Sequence, residues 1–174
     1  IDLNTATITK FTGKFQGGDL DGVLSDALFN GVTYITSSVA GGLYVFDENN
    51  KRIRKIGTDG IVFTTSLHDI DDLSAMVSAN SDGVYFGGWS DCRVRHLSPS
   101  GIETTIAGAN ETGYKDGSGG EARFRNIVGI TEDVSGNLFV ADRGNNRIRL
   151  IDKNKNVVTV AGNGERAFQD GTGD

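Results

Sequence analysis

The chain has 174 residues, of which 25 are glycine and one is proline, with a hydrophobic fraction of 37% and a formal net charge of −6. This acidic balance argues against nucleic-acid partners and anionic membrane surfaces, because both require a basic surface that can neutralise phosphates. No stretch approaches the ~18 apolar residues of a membrane span. The composition therefore predicts a folded, turn-rich unit without membrane insertion.

Three segments repeat one pattern, in which an apolar strand and a polar turn precede a strand that alternates basic and apolar residues. They cover residues 43–56, 84–97 and 138–151. Runs of β-branched and aromatic residues around an Asn, Gly or Ser turn are typical of β-hairpins. The starts of these segments are 41 and 54 residues apart, which brackets the propeller blade length of about 40 to 50 residues.

Further short strands are predicted on both sides of the hairpins. Innermost strands fit residues 27–35 and 122–130, and outer strands fit residues 101–108 and 156–162. No helical period of 3.6 residues is sustained. The pattern therefore predicts an all-β chain, a β-propeller built of four-stranded antiparallel blades, with about three blades and one extra outer strand.

The predicted blades divide the chain into four parts of one propeller domain. Residues 1–24 are the outer strand and loop of a preceding blade, 25–66 are blade one, 67–119 a degenerate blade two, and 120–174 blade three with the following loop. Known propellers close with about four to eight blades. Three blades therefore predict that more chain, or further copies, complete the ring.

The segment from Leu138 to Ile151 resembles the NHL repeat, with an apolar strand, an Asp, an Asn-rich turn and then Arg-Ile-Arg. The loops with Asp116-Gly117 and Asp170-Gly171 resemble the long-loop variant of that repeat. This resemblance implies an NHL-type propeller along essentially the whole chain. The middle repeat departs from the pattern, since it lacks both the hairpin Asp and the glycine-rich loop.

Acidic and basic residues flank two of the hairpin turns. Asp47 with Arg52, and Asp142 with Arg147, are predicted to meet across the strands as structural ion pairs. In the middle repeat Gly88 replaces the Asp. The corresponding arginine, Arg93, is left for Asp91 or for an outside ligand.

The candidate binding residues lie in the middle repeat, and they are Trp89, Arg93 and Arg95. Trp89 replaces a polar turn residue of the other copies, and an exposed aromatic side chain favours contact with proteins or sugars. The alternative is that Trp89 covers a neighbouring loop. The arginines of the hairpins would be arranged around the ring.

Metal and catalytic signatures are few. Asp116 and Glu121 lie in a glycine-rich loop that could surround calcium, although Asp-Gly steps also form ordinary turns. His68 and His96 are the only histidines and belong to no zinc motif. The sequence predicts no catalytic residue and no cofactor, with calcium as the one alternative.

Asn110-Glu111-Thr112 is an N-glycosylation sequon on a predicted loop. We expect a non-catalytic binding, structural or assembly module of a larger extracellular or cell-surface protein, which presents its loops to a protein or glycan partner or to a second copy. The alternative is part of a propeller lyase or hydrolase with a metal-dependent site at the central channel. RNA binding, known among NHL propellers, is opposed by the acidic charge.

Overall fold

A computed structural model describes residues 16–66, 68 and 70–167. Its strands form three antiparallel sheets, which we call blade one, the middle blade and blade three. The helical segments among these residues are two single turns of 3-10 helix. In the same residues there is no helix with the length and apolar character needed to cross a membrane. The all-β prediction is confirmed.

Blades one and three have five strands each, and the middle blade has four. The strands of blade one are β1 Gly22–Val23, β2 Val32–Ser37, β3 Leu43–Asp47, β4 Arg52–Ile56 and β5 Ile61–Thr64. Those of the middle blade are β6 Leu73–Ser78, β7 Val84–Gly88, β8 Arg93–Leu97 and β9 Glu103–Gly108. Those of blade three are β10 Gly117–Ser118, β11 Ile127–Glu132, β12 Leu138–Asp142, β13 Arg147–Ile151 and β14 Asn156–Ala161.

The three predicted hairpins are the central strand pairs β3–β4, β7–β8 and β12–β13. In blades one and three the turn is a 3-10 segment, Glu48–Asn50 and Arg143–Asn145. Each turn ends on a left-handed residue, Lys51 with φ of 56° and Asn146 with φ of 52°. A left-handed residue reverses the chain within the short turn, a conformation that asparagine tolerates well.

Blades one and three each carry a capping segment, residues 16–31 and 111–126, which precedes the innermost strand. Within these segments β1 pairs with the outermost strand β5, and β10 pairs with β14. The chain then crosses the blade to β2 or β11. A capping segment therefore belongs to the blade that follows it. The predicted boundaries at 24/25 and 119/120 cut through both segments, because the sequence pattern does not show which blade pairs with β1 and β10.

Among the described residues the middle blade has no capping segment. Residues 65–72 connect β5 directly to β6, whereas residues 109–126 connect β9 to β11. Its sheet order is β6-β7-β8-β9, so β9 is an edge strand in the described part of the chain. The predicted outer segments at residues 1–15 and 168–174, including Asp170-Gly171, lie outside the described residues.

Apolar cores join neighbouring blades. The core between blade one and the middle blade contains Tyr44, Phe46, Ile53, Ile70, Leu73, Val84, Phe86 and Leu97. The core between the middle blade and blade three contains Ala75, Val94, Ala107, Ala122, Phe124, Ile127, Leu138, Val140, Ile151 and Val157. A smaller core, Ala27, Val45, Ile56 and Val62, lies under the first capping segment. The three blades stack in sequence as an arc, and within residues 16–66, 68 and 70–167 they do not close into a ring.

Candidate functional site

Blade one contains a fully buried arginine, and most of the acceptors for its hydrogen bonds belong to the capping segment. The guanidinium of Arg54 pairs with the buried carboxylate of Asp47 at 3.0 Å. Its Nη1 and Nη2 donate to the carbonyls of Leu28 and Leu20 at 2.7 and 2.6 Å. Its Nε donates to Asp21 at 3.1 Å. A buried charge costs free energy unless it is paired and hydrogen-bonded. The contacts of this cluster offset that cost for Arg54.

Blade three repeats this cluster with every residue 95 positions later. Arg149 pairs with buried Asp142 at 2.7 Å and donates to the carbonyls of Arg123 and Lys115 at 3.0 and 2.8 Å. The Nε of Arg149 donates to Asp116 at 3.1 Å. Two independent copies of one arrangement identify it as the element that holds a capping segment on its blade.

The predicted ion pairs were wrong, because each aspartate pairs with the second arginine of the following strand and not with the first. Asp47 and Asp142 stand opposite Arg52 and Arg147 in the strand register, as predicted. The arginine two residues further lies on the same face of the strand, and there the carbonyls of the capping segment complete its hydrogen bonds. The observed ion pairs are Asp47 with Arg54 and Asp142 with Arg149.

The two arginines at the predicted positions take other partners. Arg52 pairs with Asp19 of the capping segment at 3.1 Å. Arg147 lies over the ring of Tyr114 at 3.8 Å and donates to the Asn163 carbonyl at 2.8 Å. Both side chains therefore contribute to holding loops against the hairpins.

In the middle blade the hairpin aspartate stands at a different position of the repeat. Gly88 occupies the position of Asp47, and Asp91 occupies that of Asn50 three residues later. Asp91 accepts from Arg93 at 2.9 Å and also pairs with Arg95. A second carboxylate, Glu103 on β9, pairs with Arg95 at 2.8 Å. Of the two alternatives left open for Arg93, Asp91 or an outside ligand, the structure shows the contact with Asp91.

The backbone of Asp72 explains Gly88. A Cβ at this position would lie 2.2 Å from the carbonyl oxygen of Asp72, a distance that real side chains do not adopt. Asp72 itself has φ of 60° and accepts hydrogen bonds from the Ser90 amide and hydroxyl. A side chain at position 88 therefore has no room, and the hairpin carries its aspartate at position 91 instead.

The missing capping segment leaves a polar cleft of about 330 Å³ on the middle blade. The cleft is lined by Asp71, Asp72, Ser90, Asp91, Cys92, Arg93, Arg95 and Asn110. Asn110, the sequon residue, is exposed at its rim. The Nε of Arg95, a residue that lines the cleft, is buried and donates to no acceptor among the described residues. Two of the three predicted binding residues therefore line one site.

Trp89 lies outside this cleft, on the hairpin turn. It is 44% exposed, and the guanidinium of Arg143 from blade three lies 4.6 Å from its ring centroid. Asn126 of blade three donates to the Trp89 carbonyl at 2.8 Å. Trp89 therefore covers a neighbouring loop, which was the alternative left open by the sequence, and still presents part of its ring to solvent.

The calcium candidates are used within blade three. Asp116 accepts from Arg149 and from the Thr159 amide, the latter at 3.1 Å. Glu121 lies 3.6 Å from Lys115. In the described ranges no three His, Cys, Asp or Glu side chains are grouped so that they could hold a metal ion.

A charged clasp that the sequence did not reveal joins blade one to the middle blade. The carboxylate of Asp82 accepts from the Ser38 hydroxyl at 2.7 Å and from Lys55 at 3.3 Å. Burial alone would raise the pKa of Asp82, but hydrogen bonds from Ser38, the Gly83 amide and Lys55 outweigh burial and lower it. The other two repeats have glycine, Gly41 and Gly136, at this position, so no repeated pattern pointed to the clasp.

At the two ends of the arc, side chains are exposed at positions whose counterparts are buried in the junctions between blades. Ile148 on blade three is 39% exposed, whereas its counterpart Ile53 is 0% exposed at the blade one junction. Val32 on blade one is 47% exposed, whereas its counterpart Ile127 is 0% exposed. Beside Ile148 lies an open cleft of about 290 Å³ that includes Ala141. Both ends therefore present side chains that an adjacent blade would bury.

Comparison with known proteins identifies the fold. No family model matches the chain. The chloroplastic protein SUPPRESSOR OF QUENCHING 1 of Arabidopsis thaliana is 32% identical over 120 residues, 67% of this chain and 11% of that protein. An auxiliary nutrient binding protein from Bacteroides ovatus superposes with a TM-score of 0.62 at 16% identity, over 80% of this chain and 38% of its own.

A virginiamycin B lyase from Staphylococcus aureus superposes with a TM-score of 0.58 at 16% identity, over 79% of this chain and 43% of its own. The fold is that of a β-propeller. The chain thus spans about a tenth of the curated relative and less than half of these two structures. At such identities the structural similarity defines the architecture and leaves function to the site.

Proposed function

We propose that this chain is a non-catalytic binding and assembly module, an arc of NHL-type propeller blades whose end faces pack against further blades. The observation that carries the proposal is the exposure of Ile148 and Val32 at positions that the inner junctions bury. Three blades are fewer than the smallest closed propellers, which have about four. A second copy, or further repeats of a longer chain, would cover both faces.

The two faces suit head-to-tail packing. At the inner junctions Leu73 and Ile127 occupy the position of Val32 and are buried against the preceding blade. In the second junction the receiving residue is Gly87, and a Cβ there would lie 3.1 Å from Ile127. Blade three offers the small residue Ala141 at this position. Val32 of a second copy would enter the cleft beside Ala141.

Light scattering over a range of concentrations tests this proposal. We expect the 18.5 kDa chain to form dimers reversibly, since two arcs of three blades give a ring of six. Ile148→Arg and Val32→Arg should each shift the chain towards monomer. Val134→Arg is the matched control, because Val134 is fully exposed on a turn. A folded chain that stays monomeric at every concentration would contradict the assembly proposal.

The polar cleft of the middle blade is the proposed contact for a protein or glycan partner. Loops on a rigid sheet scaffold commonly carry binding function, and the cleft combines arginine and aspartate side chains with the exposed Asn110. We propose that the parent protein is extracellular or on the cell surface and carries a glycan at Asn110. A loss of mass after glycosidase treatment of the native protein, absent in Asn110→Gln, would support this, and an unchanged mass would oppose it.

The second candidate is a portion of a propeller lyase or hydrolase, supported by the shared fold of the virginiamycin B lyase. It predicts that the complete protein binds a divalent metal and turns over a small substrate, with activity lost on chelation. Metal analysis of the native protein separates the two candidates. A stoichiometric metal together with turnover would favour the enzyme.

A further inference from the structure

The capping segments of blades one and three show twice how an Asp-Gly strand binds to an outermost strand. Asp21 accepts from the Thr64 amide at 2.9 Å and from Arg54, and Gly22 then pairs with β5. The carboxylate thus contacts one strand amide and one buried arginine, and the strand after it extends the sheet.

Blade three binds its own segment in the same way. Asp116 accepts from the Thr159 amide at 3.1 Å and from the Nε of Arg149, and Gly117 pairs with β14. The receiving group is therefore an arginine and a threonine that face each other in the strand register. Arg54 with Thr64 and Arg149 with Thr159 are register partners.

In the part of the chain that the structure describes, the middle blade has the receiving group but no Asp-Gly strand paired with it. Arg95 and Thr105 are register partners in the same relation. Thr105 is exposed on β9, the edge strand of its sheet. The Nε of Arg95 has no acceptor among the described residues, whereas the Nε of Arg54 and Arg149 each donate to the aspartate at 3.1 Å. The unsatisfied donor is the one that the Asp-Gly strand satisfies in the other blades.

We infer that β9 of the middle blade binds an extended acidic segment of a partner protein, with an Asp-Gly step whose carboxylate contacts Arg95 and the Thr105 amide. Addition of a strand to an exposed sheet edge is an established mode of peptide recognition, in which main-chain hydrogen bonds give affinity and side-chain contacts give specificity. The inference rests on the proposed binding role of this blade and is independent of packing at the end faces.

Glu103 is the residue that competes with such a ligand. It stands at the position of Val62 and Val157, which pair with the glycines of the Asp-Gly strands. In the free chain its carboxylate pairs with Arg95 at 2.8 Å. An incoming aspartate has to displace this carboxylate, so removal of the Glu103 charge should strengthen binding.

A labelled peptide of this chain's own residues 18–24, with blocked ends, is the probe, and binding is followed by fluorescence anisotropy. We expect saturable binding at or below about 1 mM and a loss of about tenfold or more for the peptide with Asp21→Asn, as for removal of a charge-assisted hydrogen bond. Equal binding of the two peptides, or no saturation in this range, would overturn the inference.

Variants of the chain locate the peptide. Thr105→Pro removes the outward amide from an edge strand, where proline is tolerated, and should abolish binding. Arg95→Lys keeps the charge without Nε and should weaken binding about tenfold, while Glu103→Gln should strengthen it. Trp89→Ala is the control that leaves binding unchanged. Peptide binding that survives Thr105→Pro would place the peptide elsewhere and refute the assignment.

Thermal unfolding confirms that each variant is folded, and light scattering is run on the same samples. Thr105→Pro and Glu103→Gln should leave the solution mass unchanged, because β9 belongs to the middle blade and the end faces belong to blades one and three. Failure of peptide binding and failure of assembly are therefore separate results.

Discussion

The equivalent arginines of the three blades lie in two different environments, one in blades one and three and the other in the middle blade. Arg54 and Arg149 are fully buried beneath capping segments, with carbonyl and carboxylate partners on every side. Arg95 is paired by Asp91 and Glu103, borders an open cleft and leaves one donor unsatisfied. The comparison shows that one repeated hairpin serves two purposes. The hairpin anchors the capping segment where a long connection precedes the innermost strand. Where that connection is short, as in the middle blade, the hairpin borders an open cleft.

The largest expected effect comes from breaking the ion pair in a capped blade. Asp142→Ala leaves the guanidinium of Arg149 buried without its carboxylate and should cost about 3 to 5 kcal/mol of unfolding free energy. Asp91→Ala, the matched change in the middle blade, should cost about 1 kcal/mol, because the partners are partly exposed and Glu103 remains. Urea unfolding measures both. Equal losses would break the distinction between capped and uncapped blades.

The next prediction concerns the close approach of chain at Gly88. Gly88→Ala forces the Asp72 carbonyl away from a position 2.2 Å from the new Cβ, and overpacking of this kind costs about 1 to 3 kcal/mol. Gly120→Ala is a control, since a Cβ there meets nothing within 4 Å. The difference in midpoint temperature is the readout. No loss for Gly88→Ala would mean that the connection into the middle blade does not lie against the hairpin.

The clasp at Asp82 adds a pH dependence to the junction of blade one with the middle blade. Because the folded-state pKa of Asp82 is lowered, its contribution is present above the unfolded carboxyl pKa, about 4, and is lost as pH falls through the folded value. Asp82→Asn should therefore lower stability at neutral pH by about 1 to 2 kcal/mol, with a shrinking difference in acid. Urea titrations at several pH values provide the measurement, and a difference independent of pH would contradict it.

The smallest effect is expected at Trp89. Its contact with Arg143 is exposed, and such cation–π pairs contribute about 0.5 to 1 kcal/mol. Trp89→Ala and Arg143→Ala should each cost about that much, and the double variant should cost less than the sum. A double-mutant cycle by urea unfolding measures the coupling. Full additivity would mean that the contact between Trp89 and Arg143 does not contribute to the stability of the junction.

The hairpins and the all-β architecture were predictable because their residue patterns are local. Each hairpin repeats alternating apolar residues around a polar turn, and strands β3–β4, β7–β8 and β12–β13 follow those patterns. The segment from Leu138 to Ile151, which resembles the NHL repeat, therefore predicts a propeller fold. The blade boundaries were less accurate, because the pairing of β1 with β5 joins residues far apart in the sequence.

The site was predictable only in part, because its partners come from distant segments. The sequence placed Arg93, Arg95 and Trp89 on one hairpin, and the cleft contains the two arginines. Asp47 pairs with Arg54 because the carbonyls of Leu20 and Leu28 accept the remaining hydrogen bonds of this arginine. The positions of these carbonyls have no sequence signature. The role of Glu103 was missed as well, although the change from Val62 and Val157 to a charged residue was a visible signal.

Amide hydrogen exchange at three equivalent threonines tests the central comparison most directly. The amides of Thr64 and Thr159 donate to Asp21 and Asp116 at 2.9 and 3.1 Å, so both should be protected in the free chain. The amide of Thr105 should exchange as an exposed edge amide and gain protection when the peptide of residues 18–24 is added. Equal protection of all three amides in the free chain would contradict the claim that the middle blade alone is open.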